Sequence, residues 1–227
     1  MKHCVVCGTG EFADKEVLWP ELIEAWELSP EEAVLINRQQ GTHCLKCGNN
    51  LRAQALAMAI MESQGFQGLF KRFVRKWSSG SLKVLSINTC GTLHNTLRKL
   101  KGLVLAEYPE HDMTALSMAN NTFDLVLHSD TLEHVADPLQ ALRECHRVLK
   151  PGGHCIYTIP IVAGRLSRST EGRPTSYHGD PNQRGEDWKV HTEYGSDAWL
   201  QPLEAGFRSC AIHAFEAPAA LALSCKK

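Results

Sequence analysis

The sequence predicts an α/β fold: a doubly wound, mostly parallel sheet flanked by helices, preceded by a small cysteine-bearing module. Three observations carry this expectation. From about Lys83 onward, short apolar runs alternate with amphipathic stretches of helical period, the pattern of parallel strands joined by crossover helices. Ahead of them stand two copies of one motif, His3-Cys4-Val5-Val6-Cys7-Gly8 and His43-Cys44-Leu45-Lys46-Cys47-Gly48. The 227 residues also exceed one domain of about 150 residues, which leaves room for a full domain and an appendage.

Composition narrows the class. Apolar residues make up 43% and charged residues 22% of the chain, enough to bury a real core. The 24 basic and 25 acidic side chains give a net charge of −1, so no global field draws the chain to a polyanion and nucleic acid is disfavoured as a partner. The longest apolar run, Ala55 to Met61, falls far short of the roughly twenty residues a membrane span needs. The start, MKHCVVCGTGEF, has neither the basic-then-apolar order of a secretory signal nor an Arg-rich amphipathic pattern. The expected location is the cytoplasm.

In residues 1–62, Cys4, Cys7, Cys44 and Cys47 read as a zinc site. A CxxC turn brings two thiolates onto one metal, the Gly after it can turn left-handed, and two such knuckles close a tetrahedron. Four thiolates leave no position for water, so the zinc is expected to be structural. A thioredoxin-like redox pair or free buried thiols are the alternative, but a redox motif needs no second copy. His3 and His43 are read as surface residues. Pro20 to Trp26 reads as a short helix, and Ser29-Pro30-Glu31-Glu32 opens another, with Ser29 and Glu32 completing a capping box. A helix follows from Leu51 to about Glu62, with Leu51, Ala55, Met58, Ala59 and Met61 partly on one face. So small a module has little core, and zinc coordination worth about 10 to 16 kcal/mol would make it fold.

Residues 63–80 form a linker in which Phe66, Leu69, Phe70, Phe73 and Trp77 interleave with Lys71, Arg72, Arg75 and Lys76. A helix docked on the main domain accounts for this better than a nucleic-acid or membrane contact. Residues 81–227 then carry strands near Lys83 to Ile87, Leu103 to Glu107, Phe123 to His128 and Gly153 to Ile159, closed by Ala211 to Phe215 and Leu221 to Ser224. Helices are expected near Leu93 to Leu100, Leu139 to Leu149 and Ser196 to Glu204.

The stretch Asn121-Thr122-Phe123-Asp124-Leu125-Val126 runs through Leu132-Glu133-His134-Val135 to Arg147-Val148-Leu149-Lys150-Pro151-Gly152-Gly153. With its FDLV, LEHV and RVLKPGG blocks it closely resembles the class I S-adenosylmethionine-dependent methyltransferases of the type 11-like group, some of which carry an N-terminal zinc-ribbon-like segment. The resemblance runs from about Lys83 onward and implies a Rossmann-like sheet of the seven-stranded type. It implies S-adenosylmethionine as cofactor, with Ser86, Asn88 and Gly91 cradling the methionine part. By the same resemblance Glu107 binds the ribose hydroxyls, Asp112 and Met113 flank the adenine, and Ser129 and Asp130 face the sulfonium. In an open sheet of this kind ligands lie at the carboxyl ends of the strands, and a carboxylate suits a vicinal diol because it accepts from both hydroxyls.

Two departures stand out. The family's first loop reads acidic-x-Gly-x-Gly-x-Gly, whereas Ser86-Ile87-Asn88-Thr89-Cys90-Gly91-Thr92 has one glycine and no acid; Asn88, tolerant of positive φ, is expected to stand in for the first glycine. The path from Glu107 to Asp112 is too short for the usual helix, so that corner is abbreviated. Asp130 is the first candidate base and His134 the second, followed by His128, His178 and His191; His134 is equally read as bracing its loop. Pro160 to Tyr194 reads as an acceptor-recognising insertion, in which Arg165 and Arg168 either grip an anionic acceptor or form a solvated face. Cys90, Cys145, Cys155, Cys210 and Cys225 are read as buried thiols. The expected function is methyl transfer to a small-molecule or sugar acceptor, with oxygen favoured. A zinc-ribbon RNA or protein methyltransferase and a non-catalytic binding protein with a degenerate cofactor loop are the competing readings.

Overall fold

The computed structural model describes residues 3–173, 175–177, 185–217 and 219–227. The chain builds from the amino end as β1 (Phe12–Ala13), α1 (Pro20–Ala25), α2 (Pro30–Gly41), β2 (His43–Cys44), α3 (Leu51–Ser63) and α4 (Phe70–Lys76). β1 and β2 pair antiparallel, Phe12 opposite Cys44. The capping box at α2 forms: the Glu32 amide donates to Ser29 Oγ at 3.2 Å and the Ser29 amide to Glu32 Oε2 at 2.9 Å, which satisfies two otherwise orphaned donors. α2 ends at Gly41 because the chain crosses itself there; a Cβ on Gly41 would lie 1.8 Å from the Lys15 carbonyl oxygen.

The main sheet comprises β3 (Val84–Ile87), β4 (Leu103–Ala106), β5 (Phe123–Ser129), β6 (Leu149–Thr158), β10 (Ser209–Phe215) and β11 (Ala220–Lys226). Between β6 and β10 lie β7 (Ile161–Val162), β8 (Arg168–Ser169) and β9 (Thr192–Gly195), which form a three-stranded side sheet in the order β7-β9-β8. The main order is β10-β11-β6-β5-β3-β4. β4, β3, β5 and β6 run parallel, and β11 is antiparallel to both β6 and β10. The strand order reverses between β3 and β5, so the ends of these two strands open the crevice where a doubly wound sheet binds ligands. Along the chain neither helix nor strand lies between β4 and β5; the missing helix is the one the short Glu107 to Asp112 path predicts, and the missing strand leaves six of a seven-stranded plan.

Helices α5 (His94–Leu97), α6 (Pro138–Val148) and α7 (Leu200–Glu204) are the crossover elements, and two are shorter than their sequence pattern. The Leu93 to Leu100 helix shrinks to a 3-10 turn at Gly91–Leu93 followed by one turn of α5, because the chain re-enters the sheet at Leu103. The helix expected from Ser196 begins only at Leu200; the Ser196 amide instead donates to the Arg165 carbonyl at 2.8 Å, tying the preceding turn to the insertion. β6 starts at Leu149, ahead of Gly153, since Leu149 already pairs with Phe123.

α3 explains how the amino-terminal part joins the sheet. Nine of its residues are buried, including Ala53, Leu56, Ala57 and Ile60, far more than one face. It lies with β6, β10 and β11 on one side and the cysteine knuckles on the other, so one core runs from Cys4 and Cys44 through α3 and Phe70 to Leu125 and Ile156. α4 buries Phe70, Phe73 and Val74 and leaves Lys71, Arg72, Arg75 and Lys76 exposed, a docked helix with a solvated basic face. A second core fills the other side of the sheet, and a third joins α1 and α2 to Val162 and Val190 of the insertion. No helix among the described residues is long and apolar enough to cross a membrane.

Candidate functional site

The four knuckle thiols converge. The Sγ atoms of Cys4, Cys7, Cys44 and Cys47 lie within 4.8 Å of one another, with Cys4 to Cys47 and Cys7 to Cys44 each at 3.6 Å. Tetrahedral zinc with bonds of about 2.3 Å would hold sulfurs about 3.8 Å apart, so the donor set fits that ion. Each knuckle is the same turn: the Gly8 amide donates to the Cys4 carbonyl and the Gly48 amide to the Cys44 carbonyl, both at 2.8 Å, and the two glycines take φ of 84° and 71°. Buried Gln54 joins the knuckles, accepting from the Val5 amide at 3.1 Å and donating to the Asn49 carbonyl at 3.3 Å. Burial pushes the Cys4 and Cys44 thiols up; at Cys47 burial acts in the same sense but is outweighed, chiefly by hydrogen bonds from Asn49, and that thiol is lowered. Among the described residues this is the only such metal-ligand cluster.

At the end of β3, Asn88 adopts φ 55°, the left-handed conformation that glycine usually supplies. Its amide donates to the Ala106 carbonyl at 2.8 Å and its Oδ1 accepts from the Tyr108 amide at 3.1 Å, which ties the β3 loop to the β4 loop. Ser86 is fully buried and its hydroxyl donates to the Asn88 carbonyl at 2.8 Å; it shapes the loop from below. Gly91 has φ 52° and open space where a Cβ would point. Glu107 is exposed just past β4. Asp112 Oδ1 accepts from the Thr114 amide and hydroxyl at 2.7 Å, and Met113 is buried in the core beside Ala106. Asn88, Gly91 and Glu107 thus lie together past the carboxyl ends of β3 and β4, with Glu107 exposed.

At the end of β5, Ser129 Oγ lies 2.8 Å from Thr158 Oγ1, and Asp130 turns left-handed at φ 46°. Asp130 Oδ2 accepts from Gln40 Nε2 at 3.0 Å and is ion-paired with Arg52. Asp130 Oδ1 and Arg52 Nε are buried without a hydrogen-bond partner. Burial pulls the Arg52 guanidinium down to about 10, against the opposing charges of Glu133 and Cys90. His134 Nδ1 lies 3.0 Å from the Lys189 carbonyl oxygen; since a carbonyl only accepts, Nδ1 carries the proton and the lone pair of the neutral ring sits on Nε2. Above these groups opens a cavity of about 310 Å³, floored by Gln40, Arg52, Asp130 and His134 and walled by apolar side chains of residues 17–36 together with Pro160 and Trp188.

The other sequence candidates fall elsewhere. His128 is fully buried inside the sheet, stacked on Tyr157 at 4.4 Å, and does not line the cavity; burial pulls it down to about 3 against the opposing charge of Glu133, so it stays neutral. His191 does not line the cavity either, and His178 lies outside the described residues. Arg165 and Arg168 are engaged rather than free for an anionic acceptor. Both bond Glu193 Oε2, at 2.7 and 2.8 Å, and Arg168 also bonds Glu27 at 2.6 Å. The remaining cysteines are buried, except half-buried Cys210. Sequence reasoning missed Arg52 and Gln40; the available signal was an arginine next to Leu51 at the head of an otherwise apolar helix.

Residues 67–157 match the family described as Methyltransferase domain. Over this stretch the chain is similar to methyltransferase domains. The chain is 49% identical over 47 residues to a ubiquinone biosynthesis O-methyltransferase of Ruegeria pomeroyi, covering 21% of this chain and 19% of that one. It is 42% identical over 59 residues to a ubiquinone/menaquinone biosynthesis C-methyltransferase of Klebsiella pneumoniae, covering 25% and 24%. The chain thus matches about a fifth to a quarter of the length of these curated relatives. An S-adenosylmethionine-dependent methyltransferase from Mesorhizobium loti is a structural neighbour at a TM-score of 0.42 and 16% identity, covering 69% of this chain and 96% of the other.

Proposed function

We propose that the protein transfers a methyl group from S-adenosylmethionine to a hydroxyl of a small-molecule acceptor, with a structural zinc held by Cys4, Cys7, Cys44 and Cys47. The observation that carries this reading is what stands at the ends of the parallel strands: a left-handed loop at Asn88 and Gly91 after β3, and the cavity that Asp130 and His134 line after β5. The relatives' names, ubiquinone O- and C-methyltransferases, favour a small molecule over a macromolecule. We retain residues 1–62 as the zinc-binding part, 63–80 as the linker and 81–227 as the catalytic part, and assign the protein to the cytoplasm.

S-adenosylmethionine, when bound, supplies an electrophilic methyl on a sulfonium. The chain's own residues then have three tasks. Glu107 accepts from the ribose hydroxyls, and Asn88 and Gly91 keep the loop low enough for close approach. The cavity holds the acceptor in line, which is where most of the rate of such a displacement comes from. Asp130 Oδ1 or His134 Nε2 receives the acceptor proton; the Arg52 pair holds the Asp130 carboxylate in place.

The test is calorimetric titration with S-adenosylmethionine and S-adenosylhomocysteine, repeated on Glu107→Ala. Binding by the native protein that weakens at least tenfold in the variant is expected. Failure of the intact, zinc-loaded protein to bind either compound overturns the catalytic reading and leaves the binding-protein alternative.

A further inference from the structure

We propose that the segment between the two cysteine pairs builds the acceptor pocket, and that the pocket takes a planar, largely apolar ring bearing a hydroxyl rather than a sugar. The proposal rests on the methyltransferase reading above and names its substrate class. Six of the cavity's lining residues, Val17, Leu18, Trp19, Leu22, Trp26 and Ile36, come from this segment, and Gln40 adds part of the floor. Three of the chain's five tryptophans, Trp19, Trp26 and Trp188, gather on one cavity of about 310 Å³. That volume lies at the lower end of small-molecule pockets and matches a compound of one or two rings.

The distribution of polar groups decides between ring types. A sugar presents hydroxyls around its whole edge, and each one buried without a partner costs free energy. Here eight of the twelve lining side chains are aliphatic or aromatic, and the four polar ones are Gln40, Arg52, Asp130 and His134. Within the floor, Gln40, Arg52 and Asp130 are already bonded to one another, while Asp130 Oδ1 is left buried and unpartnered. One donor on the ligand, aimed at the floor, completes that atom; a hydroxyl on an otherwise apolar ring supplies it. The indole of Trp26 is fixed by its Nε1, which donates to Ser176 Oγ at 3.2 Å, so that its flat face is presented in one orientation.

The roof is also braced. Arg165 donates to the Trp26 carbonyl at 2.5 Å and bonds Glu193, while Arg168 bridges Glu193 and Glu27. These ion pairs join the inter-knuckle segment to the insertion after β6 over the cavity. Trp188 closes the same cavity from the insertion. Acceptor recognition therefore belongs to two segments acting as one wall, the first of which is anchored at both ends by the cysteine knuckles.

The probes are 2-naphthol and methyl β-glucoside, titrated calorimetrically into the zinc-loaded full chain alone and with S-adenosylhomocysteine present. The variants are Val17→Trp, which fills the cavity from its half-buried rim, and Trp19→Ala; zinc content and melting temperature verify that both are folded. The expected result is that 2-naphthol binds at least tenfold more tightly than the glucoside. Each variant should weaken naphthol at least tenfold and shift S-adenosylhomocysteine by less than twofold. Tighter binding of the glucoside, or naphthol binding indifferent to both variants, overturns the pocket assignment even when S-adenosylhomocysteine binds. Naphthol binding that obeys the variants in a protein that ignores S-adenosylhomocysteine keeps the pocket and overturns methyl transfer instead.

Discussion

His128 lies at the heart of the sheet with both ring nitrogens buried and unpartnered, and its basicity is held down to about 3 by burial. The unfolded chain, with an ordinary histidine near 6.5, binds a proton there that the folded chain refuses. Between these values the unfolded state carries more protons, so stability rises with pH; the contribution is full above about 6.5 and is lost as pH falls toward 3. Urea titrations at pH 4, 5 and 7 should show stability falling with a slope that approaches about 1.4 kcal/mol per pH unit. His128→Phe, which keeps the stack on Tyr157, should flatten the slope in that range; an unchanged slope would show that another group carries it. Thr92 is a second informative residue. Its hydroxyl lies 3.2 Å from both the Gly48 carbonyl and Asn49 Oδ1, and Asn49 in turn donates to Cys47 Sγ at 3.3 Å. The glycine-poor loop is thus propped against the second knuckle. Thr92→Val removes about 0.5 to 1.5 kcal/mol of hydrogen bonding and should weaken S-adenosylhomocysteine roughly two- to tenfold with zinc content unchanged.

The clearest structural dependency between elements runs through Glu193 of β9, which is nearly buried and faces both Arg165 and Arg168. Removing one partner of such a cluster strands the others; Glu193→Ala should cost about 3 to 5 kcal/mol and lower the melting temperature, whereas Glu193→Gln, which keeps an acceptor, should cost less. This cluster also shows where sequence reading stops. The capping box of α2 was legible because its two partners are three positions apart, and so was the left-handed turn at Asn88, because few residues tolerate it. Arg165 and Arg168 were not: Glu193, which bonds both, is 28 and 25 positions away, and Glu27, which Arg168 also bonds, is 141 away. The same limit hid Arg52 of α3, whose partner Asp130 lies just past the end of β5, and the LEHV block gives no sign that the inter-knuckle segment lines a cavity there. α3 looked like a one-sided helix because sequence periodicity does not reveal that packing comes from both sides.

Across the whole molecule, the knuckles and the sheet share one core, so the metal is expected to bear on more than the first sixty residues. Chelation, or Cys44→Ser, should lower the melting temperature of the entire chain in one transition, read by following both tryptophan fluorescence and far-ultraviolet dichroism. Two separated transitions would mean that the sheet stands without the knuckles. The strand order has a further consequence, one of timing. β11 follows β10 in the chain yet lies between β10 and β6, with Leu223 to Lys226 zipped onto Tyr157 to His154. During synthesis, β10 leaves the ribosome with no neighbour to pair with and keeps an open edge until β11 emerges behind it. Docking of the β10–β11 hairpin onto β6 should accordingly be a late step in refolding, and the interval before it is when a nascent chain is most exposed to pairing with another copy of itself.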